Sequence, residues 1–395
     1  MSALRIMHLA GTLDPAAGGP PVVAARLAAA QASLGNTVKI AAYRGDAAGM
    51  ERAEGLLKET PNGHLVDVVW MPEPSRVERL TGRAAAKQLG AEFDAGTDVL
   101  HCHGMWEPVL PATAAQAMQR GIPFVVMPHG MLDPYTLSIS KRKKQLAMAT
   151  THRAYVRKPM LYHMLNADEA ELARPIIGEQ DVRVIPNGIF LDEVDAAPPV
   201  GEFRKERPEL GQSPYVLFLG RLTHKKGLDI LAPAFAKVAA SMADVRLVVA
   251  GPDDGMRAPF EAEVRAAGIA DRVHVVGPIY GASKYAAMRD AAVFCLPSRQ
   301  EGFSIAITEA LALGVPVVVT RACHFPEVSE VGAGIETELD ADDVADALRR
   351  VLGDSGRASE MGDAGATLVR ERFTWPEVAR QTLEAYKDGL MRVAP

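Results

Sequence analysis

The chain has 395 residues, enough for two domains that each bury a full hydrophobic core. It is 48% apolar and 23% charged with a net charge of −6, an ordinary globular composition without the global basic field that would mark a nucleic-acid binder. Its three cysteines, Cys102, Cys295 and Cys323, are odd in number and widely spaced, which fits a reduced, cytoplasmic setting better than a disulfide framework. The opening MSALRIMHLAGTLD has too short an apolar stretch for a signal peptide, and no apolar run reaches membrane-spanning length.

From the N-terminus, LRIMHLA, TVKIAAY, DVVWMP, DVLHCH, IPFVVMP, MLYHML and VRVIPN read as buried strands. Helix-length segments separate several of them, such as VVAARLAAAQASLG with Gly35 as its C-cap. Near-continuous apolar strands alternating with helices predict parallel sheets covered on both faces. Residues 191–213 are rich in proline and charge and read as a linker with a short helical piece. The alternation restarts with YVLFLG, VRLVVAG, VHVVG, VFCLPS and VPVVVT, and WPEVARQTLEAYKDGLMRV closes the chain as an amphipathic helix. The predicted fold is α/β, with two doubly wound parallel-sheet, Rossmann-like domains, residues 1–195 and 196–375, facing a cleft. Ligands of such sheets sit at the carboxyl ends of the strands.

Chemistry is therefore sought just after each strand. After LRIMHLA, Gly18 and Gly19 precede a helix starting near Pro20 and let backbone approach a ligand. The spacing is not that of the GxGxxG fingerprint, which counts against a nicotinamide cofactor. In HCHGMWEP, His103 and Trp106 suit stacking on or hydrogen bonding to an acceptor sugar, and a Trp106 that is simply buried fits equally well; no further ligand cluster is visible, so a metal site is not expected there. His129 follows IPFVVMP, with Gly130 behind it. Residues 134–167 hold no acid but seven basic residues, among them Lys143 and Lys144. They form either a solvated helix face or a site for a lipid-linked pyrophosphate at an anionic membrane surface.

After YVLFLG comes GRLTHKKG, where Arg221 and Lys226 on a strand-to-helix turn make an anion site suited to a diphosphate. After VFCLPS comes SRQEGFSIAITEALALG. It places Glu301 and Gly302 in a loop, the amides of Phe303 and Ser304 at a helix start, and Glu309 inside an otherwise apolar helix. A buried carboxylate requires a specific partner. Carboxylates grip diols while amides and cations grip phosphates, so the set suits a sugar nucleotide.

The order strand–GRL-x3-KG, AGPDDG, then strand–PS-x2-EGF-x5-E, preceded by VRVIPNGI, resembles the retaining GT-B glycosyltransferases of family 4 across almost the whole chain. The stretch GMLDPYTLSISKRKK resembles, less specifically, members that build bacterial surface polysaccharides. The resemblance implies that Glu309 binds the nucleotide ribose, Glu301 the donor-sugar hydroxyls, and Arg221 and Lys226 the diphosphate. It also implies that His129 lies beside the donor sugar, that Gly18–Gly19 sit over the phosphates, and that residues 376–395 return to the N-terminal, acceptor-binding domain. The expected reaction moves a hexose from a UDP- or GDP-sugar to a saccharide or lipid-linked acceptor with retention, in exopolysaccharide, capsule or lipopolysaccharide assembly. The catalytic set is His129, Arg221, Lys226 and Glu301, without a cofactor. No DxD follows a strand at the expected donor site, Asp253–Asp254 and Asp342–Asp343 falling elsewhere, so catalysis is expected to be metal-independent. The competing readings are a sugar-nucleotide 2-epimerase of the same shape and a non-catalytic sugar-nucleotide-binding subunit.

Overall fold

A computed structural model describes residues 3–393. The chain divides into two compact units, residues 1–187 with 375–395, and residues 188–374. The first holds β1 (Arg5–Ala10), β2 (Thr37–Tyr43), β3 (Asp67–Met71), β4 (Val99–His103), β5 (Phe124–Met127), β6 (Leu161–Met164) and β7 (Val182–Val184). They form one parallel sheet in the order β3-β2-β1-β4-β5-β6-β7. The second unit holds β8 (Tyr215–Leu219), β9 (Arg246–Ala250), β10 (Val273–Gly277), β11 (Val293–Leu296), β12 (Val317–Thr320) and β13 (Gly334–Thr337). Their order is β10-β9-β8-β11-β12-β13, again parallel. Both are doubly wound, and the strand order reverses between β1 and β4 in one and between β8 and β11 in the other. Those are the places where such sheets open a crevice for a ligand.

Each unit has its own core. In the first, the alanines of helix Gly19–Ser33 are buried, and the helix packs against the terminal helix Trp375–Val393, whose Trp375, Val378 and Tyr386 are buried. Small side chains let the helix backbones approach closely. The last residues of the expected terminal helix, 394 and 395, lie outside the described residues.

Two expectations need correction. The boundary falls between Asn187 and Gly188, not at 195–196. Residues 191–213 are not a linker, because Val194, Phe203 and Leu210 are buried in the core of the second unit. Asp290 also accepts from the backbone of Gly201 and Arg204 at 2.5 and 3.2 Å, and Arg289 donates to the carbonyls of Ala197 and Pro198. Proline and charge dominate the local composition, and three widely spaced apolar side chains were too few to reveal the packing. Strand β13, GIET, was also missed: it is four residues long and its burial is uneven.

Candidate active site

In the second unit the anion turn and the glutamate loop follow the two strands that flank the reversal point. The turn after β8 closes as a 3-10 turn, His224–Lys226, and enters helix Leu228–Ser241 through Gly227 at φ 74°. A Cβ on Gly227 would stand 1.8 Å from the carbonyl oxygen of Pro297, just past β11, so only glycine allows this approach. The two loops are then joined directly. Arg299 donates its amide to the Lys225 carbonyl at 2.8 Å, and the Ser298 hydroxyl donates to the same oxygen at 3.0 Å. The Arg299 guanidinium grips Asp229 through two bonds of 2.8 and 2.6 Å.

This scaffold sets Lys226 Nζ 2.7 Å from Glu301 Oε1, with Glu301 only 7% exposed. Arg221, on the same turn, is exposed and makes no side-chain hydrogen bond or ion pair among the described residues. Helix Ile305–Ala312 begins one residue later than its amides suggested: Ser304 is the N-cap, its hydroxyl accepting from Ile307 N at 3.4 Å. Phe303 turns its ring into the core against Phe325 and Phe373, so only its backbone faces the loop. Gly302 links Glu301 to this cap. Glu309 is buried at 4% exposure, and its Oε1 accepts from Lys284 Nζ at 2.6 Å and from the Tyr285 hydroxyl at 3.2 Å. Lys284 and Tyr285 lie on helix Gly281–Arg289, where nothing in GASKYAAMR announces a partner for a glutamate 25 residues later.

Asp253 needs correction. It lies beside the turn that carries Arg221 and Lys226, because Leu222 N bonds the Pro252 carbonyl and Leu222 bridges to Asp253. Its Oδ1 is engaged by the amides of Gly255 and Arg257 at 3.0 and 3.1 Å. Asp342 lies elsewhere, paired with Lys237.

In the first unit, Gly18 (φ 117°) caps helix Gly19–Ser33 after β1. His129 follows β5 in the left-handed region at φ 55°, a conformation that a non-glycine residue holds only where its surroundings enforce it. Buried Glu169 enforces it by accepting from Gly130 N at 2.5 Å and Leu165 N at 2.6 Å. Burial pushes the Glu169 carboxyl up and His129 down to about 3. Trp106 and Lys144 come together, the ammonium 4.9 Å from the ring, and the buried indole N–H has no partner among the described residues. Lys143 is exposed on helix Lys141–Ala149.

His103 does not fit the acceptor role. It is 2% exposed, and its two ring nitrogens contact His8 at 2.9 Å and His129 at 3.1 Å. It is a β4 side chain pointing into the sheet's interior layer. His8, read in the sequence only as part of a strand, joins His101 and His103 in a buried group whose ligand-type atoms lie within 4.8 Å of one another.

Residues 200–367 match the family described as Glycosyl transferases group 1, and residues 18–188 match Glycosyl transferase 4-like domain. A phosphatidyl-myo-inositol mannosyltransferase of Mycobacterium leprae is 31% identical over 302 residues, 74% of each chain. The chain belongs to the GT-B glycosyltransferases of family 4. A D-inositol 3-phosphate glycosyltransferase of Xylanimonas cellulosilytica is 32% identical over 53% of this glycosyltransferase and 52% of its own length. Anabaena HepE, solved with UDP-glucose, shares the fold with a TM-score of 0.76 at 18% identity, covering 98% of this chain and 100% of its own. No helix among the described residues of the glycosyltransferase is long and apolar enough to cross a membrane.

Proposed function

We propose that the chain moves a hexose from a nucleoside-diphosphate sugar to a saccharide or lipid-linked acceptor, with retention of anomeric configuration. The observation that carries this is the Lys226–Glu301 pair at the carboxyl ends of β8 and β11, with Glu309 buried on the helix that follows. Arg221 and Lys226 hold the diphosphate and stabilise the charge that develops as it departs, where preorganised electrostatics act most strongly. Ser304 orients the helix N-terminus toward the same anion. Glu301 takes donor-sugar hydroxyls and Glu309 the ribose, Lys284 and Tyr285 fixing the latter's carboxylate. Gly18 and Gly19 bring backbone over the phosphates. His129 contacts the donor sugar, and the departing phosphate takes the acceptor proton in a front-face reaction.

The reaction is metal-independent in this reading. Support comes from the two cations on the donor loops and from Asp253 Oδ1 being engaged by its own turn. The nucleotide reading is supported by HepE, whose structure holds UDP-glucose. A lipid-linked acceptor is supported by the Mycobacterium leprae relative, named for phosphatidyl-myo-inositol, and by the basic helix Lys141–Ala149, none of whose residues is buried. Trp106 and Lys144 are the acceptor contacts, with Lys143 meeting an anionic inner-membrane surface. The setting is bacterial exopolysaccharide, capsule or lipopolysaccharide assembly.

The test is a product assay with EDTA present, reading anomeric configuration by NMR. Retained configuration without metal is expected. An inverted product, or turnover only after metal is restored, contradicts the mechanism; conversion of the donor without any acceptor would reveal an epimerase.

A further inference from the structure

Six side chains of the first unit form one hydrogen-bonded chain that ends on His129. His129 Nε2 lies 3.1 Å from His103 Nδ1, His103 Nε2 lies 2.9 Å from His8 Nδ1, and His8 Nε2 lies 2.8 Å from Gln31 Oε1. Gln31 Nε2 donates to the Tyr386 hydroxyl at 3.3 Å, and that hydroxyl meets His101 Nδ1 at 2.5 Å. His8, Gln31 and His101 are fully buried, and His103 and Tyr386 nearly so. The rings of His8, His101 and His103 stack or tilt against one another at 4.6–5.2 Å between centroids. Burial depresses the four linked histidines, His8 to about 4, His129 to about 3, and His101 and His103 well below the ordinary imidazole value, so all four are neutral near pH 7.

A neutral imidazole has one N–H and one bare nitrogen, so each bond dictates the next. The Gln31 carbonyl only accepts, which places the His8 proton on Nε2 and leaves Nδ1 bare. His103 must then carry its proton on Nε2, and so must His129. His129 Nδ1, the nitrogen outside the chain, is left as an acceptor. Reversing the Gln31 amide would reverse all three tautomers together; in the orientation present, the Tyr386 hydroxyl of the terminal helix accepts from Gln31 Nε2 and so donates its own proton to His101 Nδ1. The same bonds engage nitrogens of the His8–His101–His103 group that a metal would need.

We propose that Gln31 and Tyr386 are positioning residues that set the tautomer of His129, so that its Nδ1 lone pair accepts a donor-sugar hydroxyl. The sugar contact rests on the donor reading given above; the tautomer coupling does not.

Long-range 15N–1H spectra of the full-length protein labelled at histidine, assigned with His129→Asn, read the tautomers directly. In the native protein His8, His103 and His129 are all expected to be Nε2-protonated. In Gln31→Met, or Tyr386→Phe should the first variant fail to fold, the three are expected to become tautomer mixtures together. Native rings of unlike tautomer, or variants whose His129 stays single, overturn the coupling, and an Nδ1-protonated His129 overturns the acceptor role of its Nδ1. With half the molecules in the wrong tautomer, affinity for the sugar nucleotide that stabilises the native protein, UDP-glucose or GDP-mannose, falls about twofold while its nucleoside diphosphate binds unchanged. Scrambled tautomers with unchanged sugar-nucleotide affinity would overturn the sugar contact alone.

Discussion

Glu301 and Glu309 are both buried carboxylates, yet each meets a lysine: Lys226 at 2.7 Å and Lys284 at 2.6 Å. Removing one member of such a pair leaves a charge without its partner, which is why single substitutions here affect folding as well as binding. Lys226→Met should lower stability by about 1–3 kcal/mol and kcat/KM by about 10²–10³. Adding Glu301→Gln should recover part of the stability and none of the activity; denaturant melts beside initial rates distinguish the two effects. Full activity in Lys226→Met would remove this residue from the diphosphate site. In the sequence, Glu309 stood out because a carboxylate interrupted an apolar helix. Its partner did not, because Lys284 reaches it from another helix and no spacing rule links the two.

At the level of elements, the loops after β8 and β11 depend on a glycine and a cap. Gly227→Ala places a Cβ against the Pro297 carbonyl and forces a left-handed residue, so a loss of more than about 1 kcal/mol is expected, with a weaker donor complex. Ser304→Ala should remove about 1 kcal/mol by loss of the N-cap, whereas Ser304→Gly should lose only a few tenths. Equal losses in the two Ser304 variants would argue against the capping role. The strands that carry these loops were readable because parallel strands buried on both faces are continuous apolar runs. The segment 191–213 was not, because its three anchors, Val194, Phe203 and Leu210, are scattered among prolines and charges.

At the scale of the whole molecule, the two units differ in what they bury. The first holds the neutral histidines His8, His101, His103 and His163, all 2% exposed or less. Burial lowers each below its ordinary value, His8 and His163 to about 4. The unfolded chain therefore binds protons first as pH falls, and stability present above about 6.5 is lost on the way to about 4. One unit below the unfolded value, each fully buried ring costs about 1.4 kcal/mol. Proteolysis at pH 5.5 should open the first unit before the second; simultaneous opening would mean that these rings titrate freely. The histidine cluster was invisible in the sequence because β1 and β4 are about ninety residues apart and each histidine looked like part of an apolar strand. At the same scale, the exposed Lys141, Arg142, Lys143, Ile139 and Leu146 should bind anionic vesicles in a salt-sensitive way. Co-sedimentation unaffected by salt, or equal on neutral vesicles, would count against a basic membrane face.

The most direct measurement is thermal stabilisation by UDP, GDP, ADP, their common sugars and NAD, with EDTA present. A ligand at about a hundred times its dissociation constant adds roughly 2.7 kcal/mol, a readable shift. Stabilisation by one nucleoside diphosphate and its sugar, abolished in Glu309→Ala, is the predicted result. No response to any nucleoside diphosphate, or a response to NAD alone, would contradict the donor site built around Lys226, Glu301 and Glu309.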